Sequence, residues 1–166
     1  MAKVVIVTDS SACLLGELVS KYAIEIVPME FMHEGKVYRD QIDITPARFY
    51  ELLSKARELP TTSAPSPGTY FEVFRRVSER AKAILVVTPS ATLTHAFDSA
   101  KAAAQISKEK MPDVTIEVLD CGTAAGAQGL AVLASVKAEA MDNKNLSQVT
   151  EVARNLMPKV LFDSIY

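Results

Sequence analysis

Apolar segments alternate with amphipathic ones along most of this 166-residue chain. The clearest apolar-rich runs are residues 4–7, 24–27, 83–87 and 114–119. Short runs of this kind are typical of parallel strands that are buried on both faces. The stretches between them have the spacing of helices with one buried face. The alternation therefore predicts an α/β fold, a mostly parallel sheet with helices on both faces.

Four segments carry more specific predictions. Residues 31–38 are expected to form a hairpin with Glu34-Gly35 at its turn. One helix is expected to start at residue 10 or 11 and to run to residue 22. A long alanine-rich helix is expected over about residues 93–107, and a strand is expected to begin at residues 159–163.

Residues 60–68 contain four hydroxyl side chains, three prolines and a glycine. The prolines exclude a helix or a central strand, because proline lacks the backbone donor and keeps its predecessor extended. Ser66 and Pro67 suit the N-cap and the first position of a helix that follows. The positive end of that helix would face a small anion, such as a carboxylate or phosphate. An ordinary capped connection is the alternative, and composition alone favours it.

Three predicted strands end in turns with hydroxyl and small side chains, at residues 8–10, 88–90 and 120–123. The carboxyl ends of parallel strands meet at one edge of the sheet, where ligands bind in folds of this class. Residues 60–68 are expected at the same edge. Helix capping alone does not require four such turns together, so the sequence predicts a ligand site there.

Composition argues against several classes of function. The net charge is −2 without a basic run, which argues against nucleic-acid binding. No apolar run is long enough to cross a bilayer. His33 and His95 are isolated, and Cys13 and Cys121 lack ligand spacing, so no metal site is expected. Two distant cysteines are typical of free thiols in a cytoplasmic protein.

The predicted edge offers little catalytic chemistry. The nucleotide motifs GxxxxGK[ST] and GxGxxG are absent from the sequence. Ser90 and His95 are the only nucleophile and base that lie close in sequence, so a serine hydrolase is a lesser alternative. Hydroxyl and N–H groups without a base or metal favour a non-catalytic site for an anion. An apolar tail on the ligand is expected along the alanine-rich helix and the Phe, Leu and Val faces.

Short blocks of sequence occur in a specific order: VTDSSA (7–12), IVP (26–28), YRD (38–40), DIT (43–45), LPTTSAPSPG (59–68) and VLD (118–120). In these blocks the chain resembles the DegV family of bacterial fatty-acid-binding proteins, the lipid-presenting subunits of fatty acid kinase systems. The resemblance implies a DegV N-terminal-domain-like fold with a long-chain fatty acid as its ligand. It also implies no catalytic residues and no cofactor, since a separate kinase subunit phosphorylates the carboxylate.

The same resemblance implies which residues hold the carboxylate. Thr62 and Ser63 match the family's contacts in the first loop. The family's second loop is similar to Ser-Ser-x-Leu-Ser-Gly-Thr, and here it is SATLTHA, residues 90–96. Ser90 and Thr94 keep hydroxyl groups and are therefore candidates. His95 replaces the expected glycine and is expected either to crowd the pocket or to supply a cation to it.

Family members continue into a second domain, which supplies basic residues to the carboxylate and closes the acyl tunnel. The resemblance implies that residues 1–166 are the N-terminal α/β domain alone. A half-built site predicts exposed apolar surface, and with it self-association or weak lipid binding. The main alternative is a structural or regulatory domain that binds no lipid.

Overall fold

The computed structural model describes residues 3–160. The strands are β1 (Val4–Asp9), β2 (Glu25–Val27), β3 (Glu30–His33), β4 (Lys36–Arg39), β5 (Thr61–Ser63), β6 (Ala83–Thr88) and β7 (Thr115–Asp120). The helices are α1 (Gly16–Tyr22), α2 (Pro46–Lys55), α3 (Pro67–Ser78), α4 (Ala96–Lys110), α5 (Ala125–Asp142) and α6 (Leu146–Leu156). Short 3₁₀ turns cover Ser10–Ala12 and Met157–Lys159.

The main sheet has the order β2-β1-β6-β7, and all of its strands are parallel. Every residue of β1 and β6 is buried, as expected for central strands covered on both faces. Alternate side chains enter two separate cores. Val4 and Ile6 pack with α5 and α6, while Val5 and Val7 pack with α3 and α4. The predicted α/β architecture is confirmed.

A second, smaller sheet has the antiparallel order β4-β3-β5. Its hairpin turns at Glu34 and Gly35, which both have positive φ, as the predicted two-residue turn requires. On one face, Phe31 stacks on Tyr38 with ring centroids 5.1 Å apart and meets Phe49 of α2 edge-on at 4.8 Å. This aromatic contact fixes α2 against the small sheet.

The helix expected from residue 10 or 11 begins only at Gly16. Asp9 instead caps the 3₁₀ turn, since its carboxylate accepts the N–H of Ser11 at 3.1 Å. Ser10 Oγ accepts a hydrogen bond from the N–H of Met29, and the backbone of Cys13 has the left-handed conformation, with a φ of 51°. These tertiary contacts prevent the earlier start.

The alanine-rich helix also begins later than expected, because α4 starts at Ala96. The N–H groups of Leu93 and Thr94 bond to the carbonyl of Ser90 and form a separate turn. Thr94 Oγ1 then accepts the N–H of Ala96, the first residue of the helix, at 3.2 Å, while His95 is the N-cap residue. The prediction of a strand at residues 159–163 is wrong for Lys159, which ends a 3₁₀ turn, and residues 161–163 lie outside the described part.

Candidate ligand-binding site

A polar cavity of about 440 Å³ opens at the carboxyl edge of the main sheet, between the N-termini of α3 and α4. We call it the hydroxyl cavity. Its lining residues are Met29, Thr62, Ser63, Ala64, Pro65, Ser66, Leu93, Thr94, His95 and Ser99. Lysine and arginine are absent from this lining in the described part of the chain, where hydroxyl groups, the His95 imidazole and the two helix termini are the means of attracting an anion.

Backbone pairing fixes the first side of this cavity. Thr62 pairs with Phe31 and Ser63 with Glu30, which places the polar segment on β5 at the edge of the small sheet. Ser66 Oγ accepts the N–H of Thr69 at 3.1 Å, so the predicted cap of α3 is confirmed. The hydroxyl groups of Thr62 and Ser63 have no hydrogen-bond partner within residues 3–160 and can donate to a ligand.

The turn before α4 forms the second side. Thr94 Oγ1 accepts the N–H of Ala96 at the start of α4, so its proton can still be donated to a ligand. Ser90 does not line the cavity; it is buried, and its Oγ lies 2.8 Å from Thr92 Oγ1. The structure therefore brings Thr62, Ser63 and Thr94 to one cavity and gives Ser90 the role of shaping the turn.

His95 stands at the mouth of the hydroxyl cavity with its side chain 91% exposed. Its Nδ1 lies 3.7 Å from a carboxylate oxygen of Asp98, one turn into α4. Ser90 Oγ makes its described hydrogen bonds to Thr92 and none to His95. The base and nucleophile of the hydrolase alternative are thus not in contact.

A second, largely apolar cavity of about 670 Å³ adjoins the first. We call it the apolar cavity. It is lined by Ser10, Ser11, Cys13, Leu14, Leu15, Gly16, Met29, Glu30, Phe31, Asp40, Gln41, Pro46, Phe49, Tyr50 and Thr62. Within residues 3–160, only Met29 and Thr62 line both cavities. A ligand with a polar head and an apolar tail fits this arrangement.

The position of the apolar cavity differs from the sequence-based expectation. The small residues of the alanine-rich helix do not line it, because Ala100 and Ala103 are buried among the side chains of the α3 face of the main sheet. The apolar wall comes instead from α2, β3 and residues 13–15. The aromatic residues Phe31 and Phe49 are the sequence feature that could have located the apolar cavity. Such residues are equally typical of an ordinary hydrophobic core.

Behind the apolar cavity lies a buried polar cluster around Asp9. Its Oδ1 accepts the N–H of Ser11 at 3.1 Å, contacts Ser11 Oγ and faces Gln128 Nε2 at 3.4 Å. Tyr70 OH lies 3.5 Å from Oδ2. Burial raises the pKa of Asp9 above its ordinary 3.8, although the hydrogen bonds from Ser11, Gln128 and Tyr70 oppose that shift.

The polar turns at the ends of β6 and β7 contact each other at this edge, as predicted. Ser90 N–H donates to the carbonyl of Thr123 at 2.7 Å, and Ala91 N–H donates to Asp120 Oδ2 at 3.3 Å. Gln128, which sequence reasoning missed, connects α5 to this edge through Thr8 Oγ1 at 3.0 Å. These contacts hold the edge rigid beneath the hydroxyl cavity.

Within residues 3–160, no three His, Cys, Asp or Glu side chains lie close enough together to hold a metal ion. None of the helices in the same range combines the length and hydropathy needed to cross a membrane.

Comparison with known proteins places this geometry in a family. The family model described as "Uncharacterised protein, DegV family" matches residues 3–162. A DegV domain-containing protein of Clostridium perfringens is 31% identical over 150 residues, which make up 90% of this chain and 52% of that protein.

Two solved structures of similar proteins support the same family assignment. A structure of fatty acid binding by a DegV family protein from Thermus thermophilus has a TM-score of 0.80 at 29% identity, covering 94% of this chain and 54% of that one. A stearic-acid-binding protein from Eubacterium ventriosum has a TM-score of 0.82 at 29% identity, covering 93% and 52%. The chain spans about half the length of the curated relatives it matches. On the evidence of the family model and these relatives, the chain belongs to the DegV family.

Proposed function

We propose that this protein binds a long-chain fatty acid and holds its carboxylate for phosphorylation by a separate kinase subunit. The carboxylate lies in the hydroxyl cavity against Thr62, Ser63 and Thr94, with His95 at the mouth. The acyl chain extends past Met29 into the apolar cavity. The observation that carries the proposal is that the two cavities, one polar and one apolar, share part of their lining.

The free energies of burial and hydrogen bonding favour an acyl chain in the apolar cavity and a carboxylate in the hydroxyl cavity. Each buried methylene contributes roughly 0.8 kcal/mol, so an acyl chain gains most of its binding energy in the apolar cavity. The carboxylate must keep hydrogen bonds, or its desolvation would cancel part of that gain. Thr62 and Ser63 can supply them, since their hydroxyl groups have no partner within the described residues. Both solved structures described above are of fatty-acid-binding proteins.

A partner is needed for any phosphoryl transfer. The chain lacks the nucleotide motifs GxxxxGK[ST] and GxGxxG. The hydroxyl cavity opens to solvent beside the exposed His95, so a bound carboxylate would be within reach of a second protein. The kinase subunit implied by the family resemblance fits that role, in the cytoplasm, where Cys13 and Cys121 would stay free.

The apolar cavity also needs a cover in this proposal. Leu15 and Tyr50 line it while remaining 62% and 68% exposed. A second domain or a second copy of the chain would bury this surface and close the cavity around the acyl chain. Self-association is therefore part of the proposal.

Native mass spectrometry of the purified chain tests both ligand and assembly in one measurement. We expect one fatty acid for each closed cavity, together with a population of dimers.

Thr62→Val should lower fatty-acid affinity about tenfold or more, because it removes a hydrogen bond to a charged group. Thr61→Val is the matched control, since Thr61 is also exposed on β5 but lines neither cavity. Lipid-free protein that takes up no added fatty acid would favour the structural or regulatory alternative.

The role of His95 has its own test. A protonated imidazole is a cation and attracts the carboxylate, so the affinity ratio of wild type to His95→Gly should be greater at pH 5.5 than at pH 8. We expect a change of about three- to fivefold, since the group is exposed and screened. Fatty-acid titrations at both pH values would measure it. An equal ratio at both pH values would mean that His95 does not partner the anion.

A further inference from the structure

We propose that Met29 is a specificity-determining residue that sets the width of the passage between the hydroxyl cavity and the apolar cavity. The inference rests on the proposed function and adds to it the residue that selects acyl-chain shape. Among the residues that the structure describes, Met29 and Thr62 alone line both cavities. Thr62 offers a hydroxyl group at this junction, so Met29 supplies the apolar surface that the acyl chain meets between the two cavities.

The backbone of Met29 is held from two sides. Its N–H donates to Ser10 Oγ at 3.1 Å, and its carbonyl accepts the N–H of Asp40 at 2.8 Å. Pro28 precedes it, and β3 begins at the next residue. A change of side chain at this position therefore alters the width of the passage without moving the strand.

The side chain itself is adaptable. Methionine is unbranched and rotates about three bonds, so it can yield to a straight or a bent chain. Its side chain is only partly buried, which leaves it room to change rotamer at the junction. A rigid aromatic ring in its place would narrow the passage, whereas alanine would widen it. The wild-type passage should thus admit both straight and cis-unsaturated chains, whereas a substituted side chain at position 29 should favour one shape over the other.

The test is a competition between stearate and oleate, with the bound lipid quantified by mass spectrometry for wild type, Met29→Ala and Met29→Phe. We expect the ratio of bound oleate to bound stearate to be roughly tenfold higher in Met29→Ala than in Met29→Phe, the discrimination that a methylene or two provides in an apolar pocket. Met29→Leu conserves volume and should stay close to wild type.

Met32→Ala and Met32→Phe are the matched controls. Met32 lies three residues further along, is 48% exposed and lines neither cavity. Its variants should keep the wild-type ratio. Equal ratios in the two Met29 variants, or an equal shift in the Met32 variants, would overturn the role of Met29 while leaving fatty-acid binding intact. Wild-type protein that binds neither lipid would instead overturn the proposed function, and the role of Met29 with it.

Discussion

Replacing Gly129 with alanine is expected to lower the free energy of unfolding by about 1–3 kcal/mol, the usual cost of overpacking. Gly129 lies in α5 where this helix crosses the 3₁₀ turn after β1. An added Cβ would come within 2.7 Å of the carbonyl oxygen of Ala12 and 3.3 Å of Leu14 Cδ2. The nearest atom belongs to the backbone, so the clash cannot be relieved by a rotamer change alone.

The matched control is Gly126→Ala in the same helix. No atom lies within 4 Å of the position that its Cβ would take. This variant should be neutral or stabilised by about 0.4–1 kcal/mol, because alanine restricts the unfolded chain. Urea unfolding of both variants measures the difference. Equal effects would mean that helix propensity, and not the close approach to Ala12, decides the outcome. Because Leu14 lines the apolar cavity, Gly129→Ala should also weaken fatty-acid binding.

Replacing Asp9 with asparagine is expected to change how stability depends on pH. The pKa of Asp9 is raised in the folded protein because burial disfavours the carboxylate. Ionising Asp9 therefore costs more in the folded protein than in the unfolded chain. The contribution of Asp9 to the free energy of unfolding falls by up to about 1.4 kcal/mol per pH unit from 3.8 to the raised pKa, and the cost persists above it.

An asparagine side chain does not ionise and carries no such cost, so the Asp9→Asn variant should gain stability relative to the wild type as the pH rises through that window. The amide also loses part of the contact with Ser11 and Gln128, which adds a cost that does not vary with pH. Denaturant unfolding at several pH values from 4 to 8 separates the two contributions. A difference between the two proteins that stays constant over this range would show that Asp9 is ionised throughout.

Asp43→Asn provides the control for this series. Asp43 is paired with Arg39, which lowers the pKa of Asp43 to about 2. A lowered pKa contributes stability that is present above the ordinary value and is lost only as the pH falls towards 2. The difference between this variant and the wild type should therefore stay constant between pH 5 and pH 8.

The main sheet was predictable because its information is local. The apolar runs of β1 and β6 are uninterrupted, and Ser66-Pro67 and Thr45-Pro46 start α3 and α2 as their residue types indicate. Local chemistry also located one side of the hydroxyl cavity, since segment 60–68 has few other ways to fold. These features needed no knowledge of distant contacts.

The start of the first helix, the contact of Gln128 and the apolar cavity were not predictable, because they depend on contacts between residues that are distant in sequence. Ser10 would suit a helix start, but its hydroxyl bonds to Met29, nineteen positions away. Gln128 reaches Thr8 across 120 positions of sequence, and only the packing of α5 on β1 brings them together. The apolar cavity likewise arises where α2 packs against β3, through Phe31 and Phe49. No single segment carries that information, so sequence reasoning names the alanine-rich helix, which does not line this cavity, together with the Phe and Leu faces, which do.

The division into two sheets has a consequence for the evolution of ligand preference. Every residue of β5 is exposed, whereas every residue of β1 and β6 is buried. Substitutions in β5 can therefore alter what the protein binds at little cost in stability, while substitutions in β1 put folding at risk. Natural variation in specificity should accumulate in the small sheet, and selection for a folded protein should restrain the large one. A lineage could then acquire a new ligand without having to evolve a new scaffold.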